Sequence, residues 1–225
     1  LKANITESTA CVMIQQPNLY GNIEFAKEIG EISHSVGAKY VMSVDPISLG
    51  IMETPKEAGA DIAVGEGQSL GLPMGFGGPY LGFMSCTSDM TRKLPGRIVG
   101  ETEDRDGKKG YVLTLQAREQ HIRREKASSN ICSNEALCAL AISVYMSSMG
   151  KKGIEEAASL SISKAHYLAE KLDKIGYSLV NTGEYFNEFV TKSKVSVSKV
   201  MENLEEKDIL GGYPLSGNHK GEILW

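Results

Sequence analysis

The strongest constraint on the fold of this chain is a set of four short apolar runs, each parted from the next by an amphipathic or glycine-rich stretch. Cys11–Gln16, Tyr40–Val44, Ala60–Val64 and Tyr80–Ser85 are five or six residues long, the length of strands rather than of helices. They are continuously apolar rather than alternating, which suits a parallel sheet covered on both faces. Between the first two, Ile23, Ala26, Ile29, Ile32 and Val36 recur three or four apart. That spacing predicts a helix, with Asn22 as its N-cap and Gly37 as its stop. Strands alternating with such segments predict the α/β class with a mainly parallel sheet.

The second half changes character. Residues Ser133 to Met149 predict one helix. A second carries Ile154, Ala158, Ile162, Ala165, Leu168, Leu172 and Ile175 on one face, and Gly176 ends it. Strands are expected at Tyr177–Val180, Asn187–Val190 and Gly221–Trp225, and a short helix around Val197, Val200, Met201 and Leu204. Residues 101–110 are polar and predict an exposed hairpin or loop before Tyr111–Leu115. The expected division is 1–130, part of a large sheet domain, and 131–225, a small C-terminal α+β domain. Because the sequence opens at Leu1 and stops at Trp225 inside an expected strand, both domains are read as incomplete parts of a longer chain.

Composition excludes several function classes. With 28 acidic and 24 basic residues the net charge is -4, which gives no general attraction to nucleic acid or anionic lipid. No apolar run approaches the roughly 18 residues of a membrane span. Cys11, Cys86, Cys132 and Cys138 form no C-x-x-C pair and have no histidine beside them, so buried reduced thiols are expected rather than disulfides or a metal site. The expected compartment is the cytoplasm.

Three features are candidates for chemistry. Gly65–Pro79 is dense in glycine, as a tight connection with positive φ requires, and as a loop whose backbone N–H groups hold a phosphate also requires. It is a poor dinucleotide fingerprint, because it follows the third strand and precedes another strand. Asp45 stands at the end of a buried strand, where open α/β sheets bind ligands, and Asp-Pro also signals a turn. The basic segment Arg118–Lys126 is interrupted by Glu119 and Glu125 and lacks stacking aromatics, so a solvated helix and an anion site both remain open. His34 and His166 are expected to be structural residues on helices. No catalytic side chain is assigned.

Three strings resemble the glycine-cleavage P-protein, a pyridoxal-phosphate (PLP) glycine decarboxylase: the tract from Ala60 to Phe83, Pro95–Thr102, and the segment from Leu115 to Cys132. They are most similar to the alpha-type subunit of the split form. The resemblance implies the aspartate-aminotransferase-like PLP fold, fold type I, with a large sheet domain and a small C-terminal α+β domain. It also implies the reaction: decarboxylation of glycine, with transfer of the aminomethyl group to the lipoyl arm of H-protein. In the catalytic relative a lysine lies in an H-K-T-F-x-x-P-H-G-G-G-G-P pattern. Here Gly67-Gln68-Ser69-Leu70 and Pro73-Met74-Gly75-Phe76-Gly77-Gly78-Pro79 stand in its place. Gln68 replaces the lysine, and an amide nitrogen, its lone pair delocalised, cannot condense with an aldehyde as an amine does. The resemblance therefore implies that a beta-type partner subunit holds PLP covalently. This chain would support it, with Gly77 and Gly78 reaching the partner's PLP phosphate as in the similar loop of serine hydroxymethyltransferase. Ser69 and Asp45 are further cofactor-binding candidates, Asp45 as a vestige of the aspartate that pairs with the pyridine nitrogen. Arg97, His121, Arg123 and Arg124 are candidate anion or interface contacts. The alternatives are a degenerate homologue that regulates or scaffolds, and a chain that binds PLP non-covalently and acts alone.

Overall fold

The computed structural model describes residues 1–95, 98–115, 119–127 and 135–225. Four strands form the first sheet: β1 (Cys11–Gln16), β2 (Lys39–Val44), β3 (Ile62–Glu66) and β4 (Gly82–Cys86), in that order across the sheet. β1, β2 and β3 run parallel, and β4 returns antiparallel to β3. The turn from β3 into β4 is the glycine-rich stretch, so the fourth apolar run comes back beside the third instead of crossing over. Between β2 and β3 the chain makes only a 3-10 turn at Ser48–Gly50 and further turns, with no α-helix.

The helix α1 (Ala26–Ser35) lies over β2. It starts later than the sequence suggests: Phe25, not Asn22, occupies the capping position, and no side chain caps it. Asn22 is engaged elsewhere. Its N–H donates to Asn18 Oδ1 (3.1 Å), and its Oδ1 accepts from Asn181 Nδ2 (2.6 Å). The buried cluster beneath α1 comprises Ala26, Tyr40, Met42, Val44 and Ala58. Only β2 alternates buried and half-buried positions throughout, and β1, β3 and β4 retain exposed residues. Within the described residues the sheet is therefore not covered on both faces.

An antiparallel hairpin follows, β5 (Ile98–Glu103) with β6 (Lys109–Thr114), as expected for the polar 101–110 stretch. Its turn is held by Asp104 Oδ1, which accepts from the N–H groups of Asp106 and Lys108. A short turn of helix, α2 (Gln120–Arg123), falls within the basic segment. The long helix α3 (Ala136–Lys174) is two helices joined at Gly150, whose φ of 60° and ψ of -178° are non-helical. This matches the two helices read from the sequence, and glycine supplies the φ that other residues resist. Cys132 and residues 133–134 lie outside the described residues.

A second sheet, all antiparallel, has the order β7 (Ser178–Leu179), β8 (Val190–Lys192), β10 (Glu222–Leu224), β9 (Tyr213–Pro214), with α4 (Val197–Glu205) between β8 and β9. β9 escaped sequence reading because it is two residues long and contains a proline. α3 joins the halves: Ile142 and Ala158 pack with Ile47, Leu70 and Phe186 in one buried cluster. Further along, Ala165, Ala169 and Leu172 pack with Tyr185 and Phe189. His166 stacks on the Tyr185 ring at 4.1 Å, the structural role expected of it. Of the described cysteines, all free, only Cys138 is buried; Cys11 is exposed and Cys86 half-buried, so the expectation of burial fails for those two. Their places on β1 and β4, at the less covered parts of the sheet, account for it.

One buried carboxylate ties α1, β2 and β3 together. Asp61 accepts from Lys39 Nζ (2.7 Å), from the Tyr40 N–H (2.8 Å) and from His34 Nε2 (2.9 Å). Burial pushes its pKa up, but the bonds from Lys39, Tyr40 and His34 outweigh this and bring it down to about 2. A depressed carboxylate pKa contributes stability above the unfolded-state value that is lost as pH falls toward the folded one. With Lys39 partly solvated, that contribution is about 1–2 kcal/mol. Asp61→Asn should thus lower unfolding free energy by this amount at about pH 7 and by almost nothing at about pH 2. Urea unfolding at the two pH values reads the difference.

Candidate functional site

A cleft of about 340 Å³ opens at the C-terminal ends of β1 and β2, between the two sheets. One wall comes from the first sheet and its following turns: Gln15, Ser43, Asp45 and Glu66, with Gln68 and Ser69 just beyond β3. The other wall is Asn187 and Glu188, which precede β8. The second wall is brought in by the loop after β1. Phe186 N–H donates to Gly21 O (3.1 Å), Ile23 N–H to Glu184 O (2.8 Å), and Asn181 Nδ2 to Tyr20 O (2.9 Å). Gly21 has φ of 80°, and a Cβ there would stand 1.8 Å from Glu188 O, so only glycine permits this approach.

Asp45 sits where the sequence puts it, at the end of β2, and it also fills the turn position that Asp-Pro suggested. Its Oδ1 accepts from the Ile47 N–H (3.0 Å) and more loosely from Ser69 Oγ (3.4 Å). Burial raises its pKa, and the hydrogen bonds from Ile47, Ser69 and Ser48 offset this only in part. Glu188 is also raised, first by loss of solvent around its carboxyl and then by the charge on Asp45. Two carboxylates thus line the cleft, and the charge on Asp45 disfavours the charged form of Glu188. Glu66 adds a third, but its Oε1 is committed to the N–H groups of Gln68 (3.0 Å) and Leu81 (2.8 Å).

Gln68 lines the cleft with its amide turned away into its own loop, Nε2 donating to Leu72 O at 3.0 Å. Gly77 and Gly78 do not line the cleft. They lie at the far end of the loop with φ of 109° and 139°, a region that side chains avoid. A Cβ on Gly77 would meet nothing within 4 Å, and one on Gly78 only Tyr80 N at 3.9 Å. The Gly77 N–H makes a long bond to Tyr80 Oη (3.3 Å), and no described residue accepts from the Gly78 N–H. Met74 and Phe76 on the same tip are exposed. The structure therefore joins Asp45, Gln68 and Ser69 at one cleft and sets Gly77 and Gly78 apart on a projecting tip. Asn187 and Glu188 escaped sequence reading; they come from the second sheet's side, and no local signal says that residues so distant in sequence close the cleft. Arg97 and Arg118 lie outside the described residues, while His121, Arg123 and Arg124 fall on the short helical stretch at 120–126 and do not line the cleft.

PLP needs a cationic or N–H-rich seat for its phosphate and, for covalent attachment, an amine. The described cleft lining carries Asp45, Glu66 and Glu188 but no lysine or arginine, and Gln68 has no condensable nitrogen. Covalent PLP does not fit this chain's own cleft. Among the described residues there is likewise no group of three or more potential metal ligands, and no helix long and apolar enough to cross a membrane.

Comparison with known proteins places these features. The family model "Glycine cleavage system P-protein" matches residues 2–220. A Desulfitobacterium hafniense protein described as "Probable glycine dehydrogenase (decarboxylating) subunit 1" is 56% identical over 217 residues, covering 96% of this chain and 49% of that protein. A crystal structure of glycine decarboxylase (P-protein) of the glycine cleavage system, inhibitor-bound, superposes with a TM-score of 0.92 at 41% identity, covering 98% of this chain and 51% of the other. An aspartate aminotransferase from Thermus thermophilus is 16% identical with a TM-score of 0.65, over 96% of this chain and 57% of its own, a likeness of fold alone. The fold is fold type I of the PLP-dependent enzymes. The chain spans about half the length of the curated relatives it matches.

Asp45 is half-buried, and its raised pKa bears on stability. A raised carboxylate pKa means that the charged form is penalised, so stability falls as pH rises through that value. Asp45→Asn should therefore not lower the stability at about pH 7, in contrast to Asp61→Asn, as urea unfolding reads it. It should also lower the pKa of Glu188, read by carbon NMR of the side-chain carboxyls.

Proposed function

The chain belongs to the glycine cleavage system P-protein family, and from that premise we propose that it serves as the lysine-lacking subunit of a glycine decarboxylase, completing the PLP site of a related, lysine-bearing partner. The observation that carries this reading is the cleft itself: at the family's cofactor position it presents Gln68, bonded to Leu72, amid carboxylates. When bound on the partner, PLP supplies the electron sink for loss of CO₂ from glycine, and the lipoyl arm of H-protein takes the aminomethyl group. The division into residues 1–130 and 131–225, a large sheet domain and a small α+β domain, belongs to the same reading, as does a cytoplasmic setting.

This chain's own contributions are placement and exclusion. The projecting tip offers the Gly78 N–H, free among the described residues, and the Gly77 N–H, weakly held by Tyr80, to an anion outside the chain. Backbone N–H groups in such a turn bind phosphate oxygens without a flanking helix. Exposed Met74 and Phe76 beside them give the tip apolar area to bury against a partner. Asp45 and Ser69 stay with the chain's own cleft, where Ser69 and the Ile47 N–H steady the aspartate. Relatives named as subunit 1 of glycine dehydrogenase support the need for a companion. A regulatory or scaffolding role would leave the tip without a phosphate to hold.

The test is a Gly78→Val substitution in the assembled, full-length enzyme. Added side-chain bulk at a positive φ strains the tip and withdraws its N–H from the anion. The expected outcome is at least roughly tenfold weaker retention of PLP by the partner on gel filtration, with glycine–bicarbonate exchange falling in parallel. Unchanged retention in an intact complex contradicts the role of the tip.

A further inference from the structure

The glycine loop from β3 to β4 is well bonded at its base and sparsely bonded at its tip. Glu66, exposed at the end of β3, holds both ends of the loop with one oxygen. Its Oε1 accepts from the Gln68 N–H (3.0 Å) where the chain leaves the strand, and from the Leu81 N–H (2.8 Å) where it returns. Gly67 N–H donates to Leu81 O (2.7 Å), so the two ends lie side by side. Gln68 closes the next turn with Leu72 twice over. Leu72 N–H donates to Gln68 O (3.1 Å), and Gln68 Nε2 donates to Leu72 O (3.0 Å). Leu70, Leu72 and Leu81 seat this base in the cluster around Ile142 and Phe186.

Residues 73–80 lack such support. Among the described residues no backbone hydrogen bond joins one of them to another, and the Gly77 N–H reaches only the Tyr80 hydroxyl, at 3.3 Å. A segment with so few bonds of its own takes its placement from its two anchored ends. We propose that Glu66 is a positioning residue: its carboxylate oxygen, helped by the Gln68 amide, holds the tip where the Gly77 and Gly78 N–H groups meet an anion outside the chain. This deepens the reading of the tip as a seat for the partner's cofactor phosphate, and it rests on that reading. It also gives Gln68 a task of its own, the bond to Leu72, beyond the loss of an amine. Without the Glu66 acceptor, the Gln68 and Leu81 N–H groups turn to water. Binding must then order the tip, and that cost comes out of the affinity.

The test is cofactor binding by the assembled, full-length enzyme, stripped of PLP and titrated with PLP and with pyridoxal, which lacks the phosphate. Glu66→Met keeps the length of the side chain but cannot accept the two bonds, whereas Glu66→Gln keeps an acceptor oxygen. Glu66→Met should weaken PLP binding roughly fivefold, the worth of one hydrogen bond, and leave pyridoxal binding unchanged. Glu66→Gln should bind PLP as the unaltered enzyme does. Gln68→Met, which removes only the side-chain bond to Leu72, should move PLP binding in the same direction as Glu66→Met. Melting temperature and elution of the complex verify assembly. Full PLP affinity in the assembled Met variants, an equal loss for PLP and pyridoxal, or a Gln variant as weak as Glu66→Met overturns the proposal. Gly78→Val run alongside tells which claim falls: a loss of PLP in that variant alone leaves the role of the tip standing and removes only the task of Glu66.

Discussion

The site exists because the loop after β1 is stitched to the segment before β8. Three hydrogen bonds, from Phe186 N–H to Gly21 O, from Ile23 N–H to Glu184 O and from Asn181 to Tyr20 O, carry Asn187 and Glu188 across to face Asp45. The contact is close enough to demand glycine at position 21, where any Cβ would collide with Glu188 O. Phe186, fully buried beside Ile47, Leu70, Ile142 and Ala158, anchors the same segment from below. Remove this seam and the cleft loses one wall.

Charge then decides what the cleft accepts. Asp45 and Glu188 are both raised from their ordinary values, loss of solvent around the carboxyl acting first in each case. Asp61, by contrast, is buried yet held down to about 2 by Lys39, Tyr40 and His34. The difference lies in their partners: Asp61 is matched by the Lys39 ammonium, the His34 ring and an N–H, whereas Asp45 has only neutral donors among the described residues. A half-buried carboxylate without a cation beside it is poor company for a phosphate. That is the ground for our proposal that this chain shapes a cofactor site held by a partner.

Much of this was legible in the sequence. The four apolar runs became β1 to β4, two helices were expected where α3 breaks, Gly176 marked its end, and Asp45 and the glycine loop stood out by residue type and place. What the sequence withheld has identifiable causes. Direction is not written in a strand, so the antiparallel return of β4 became visible only once Ile62 paired with Cys86. Asn22 has the chemistry of a helix cap but is drawn off by Asn18 and Asn181, the latter 159 residues away. Continuous apolar runs implied two covered faces, yet among the described residues only β2 is enclosed, since hydrophobicity records a need for burial and not which surface meets it. Glu188 became notable only through the seam that brings it to the cleft.

The central claim is that the imine-forming amine belongs to a partner and not to this chain. Borohydride reduction of the assembled enzyme, followed by intact mass measurement of each subunit, addresses it directly. Reduction fixes a PLP imine as a stable adduct, so the partner alone should gain the mass of one pyridoxyl phosphate while this chain keeps its own. A stoichiometric gain on this chain would contradict the account.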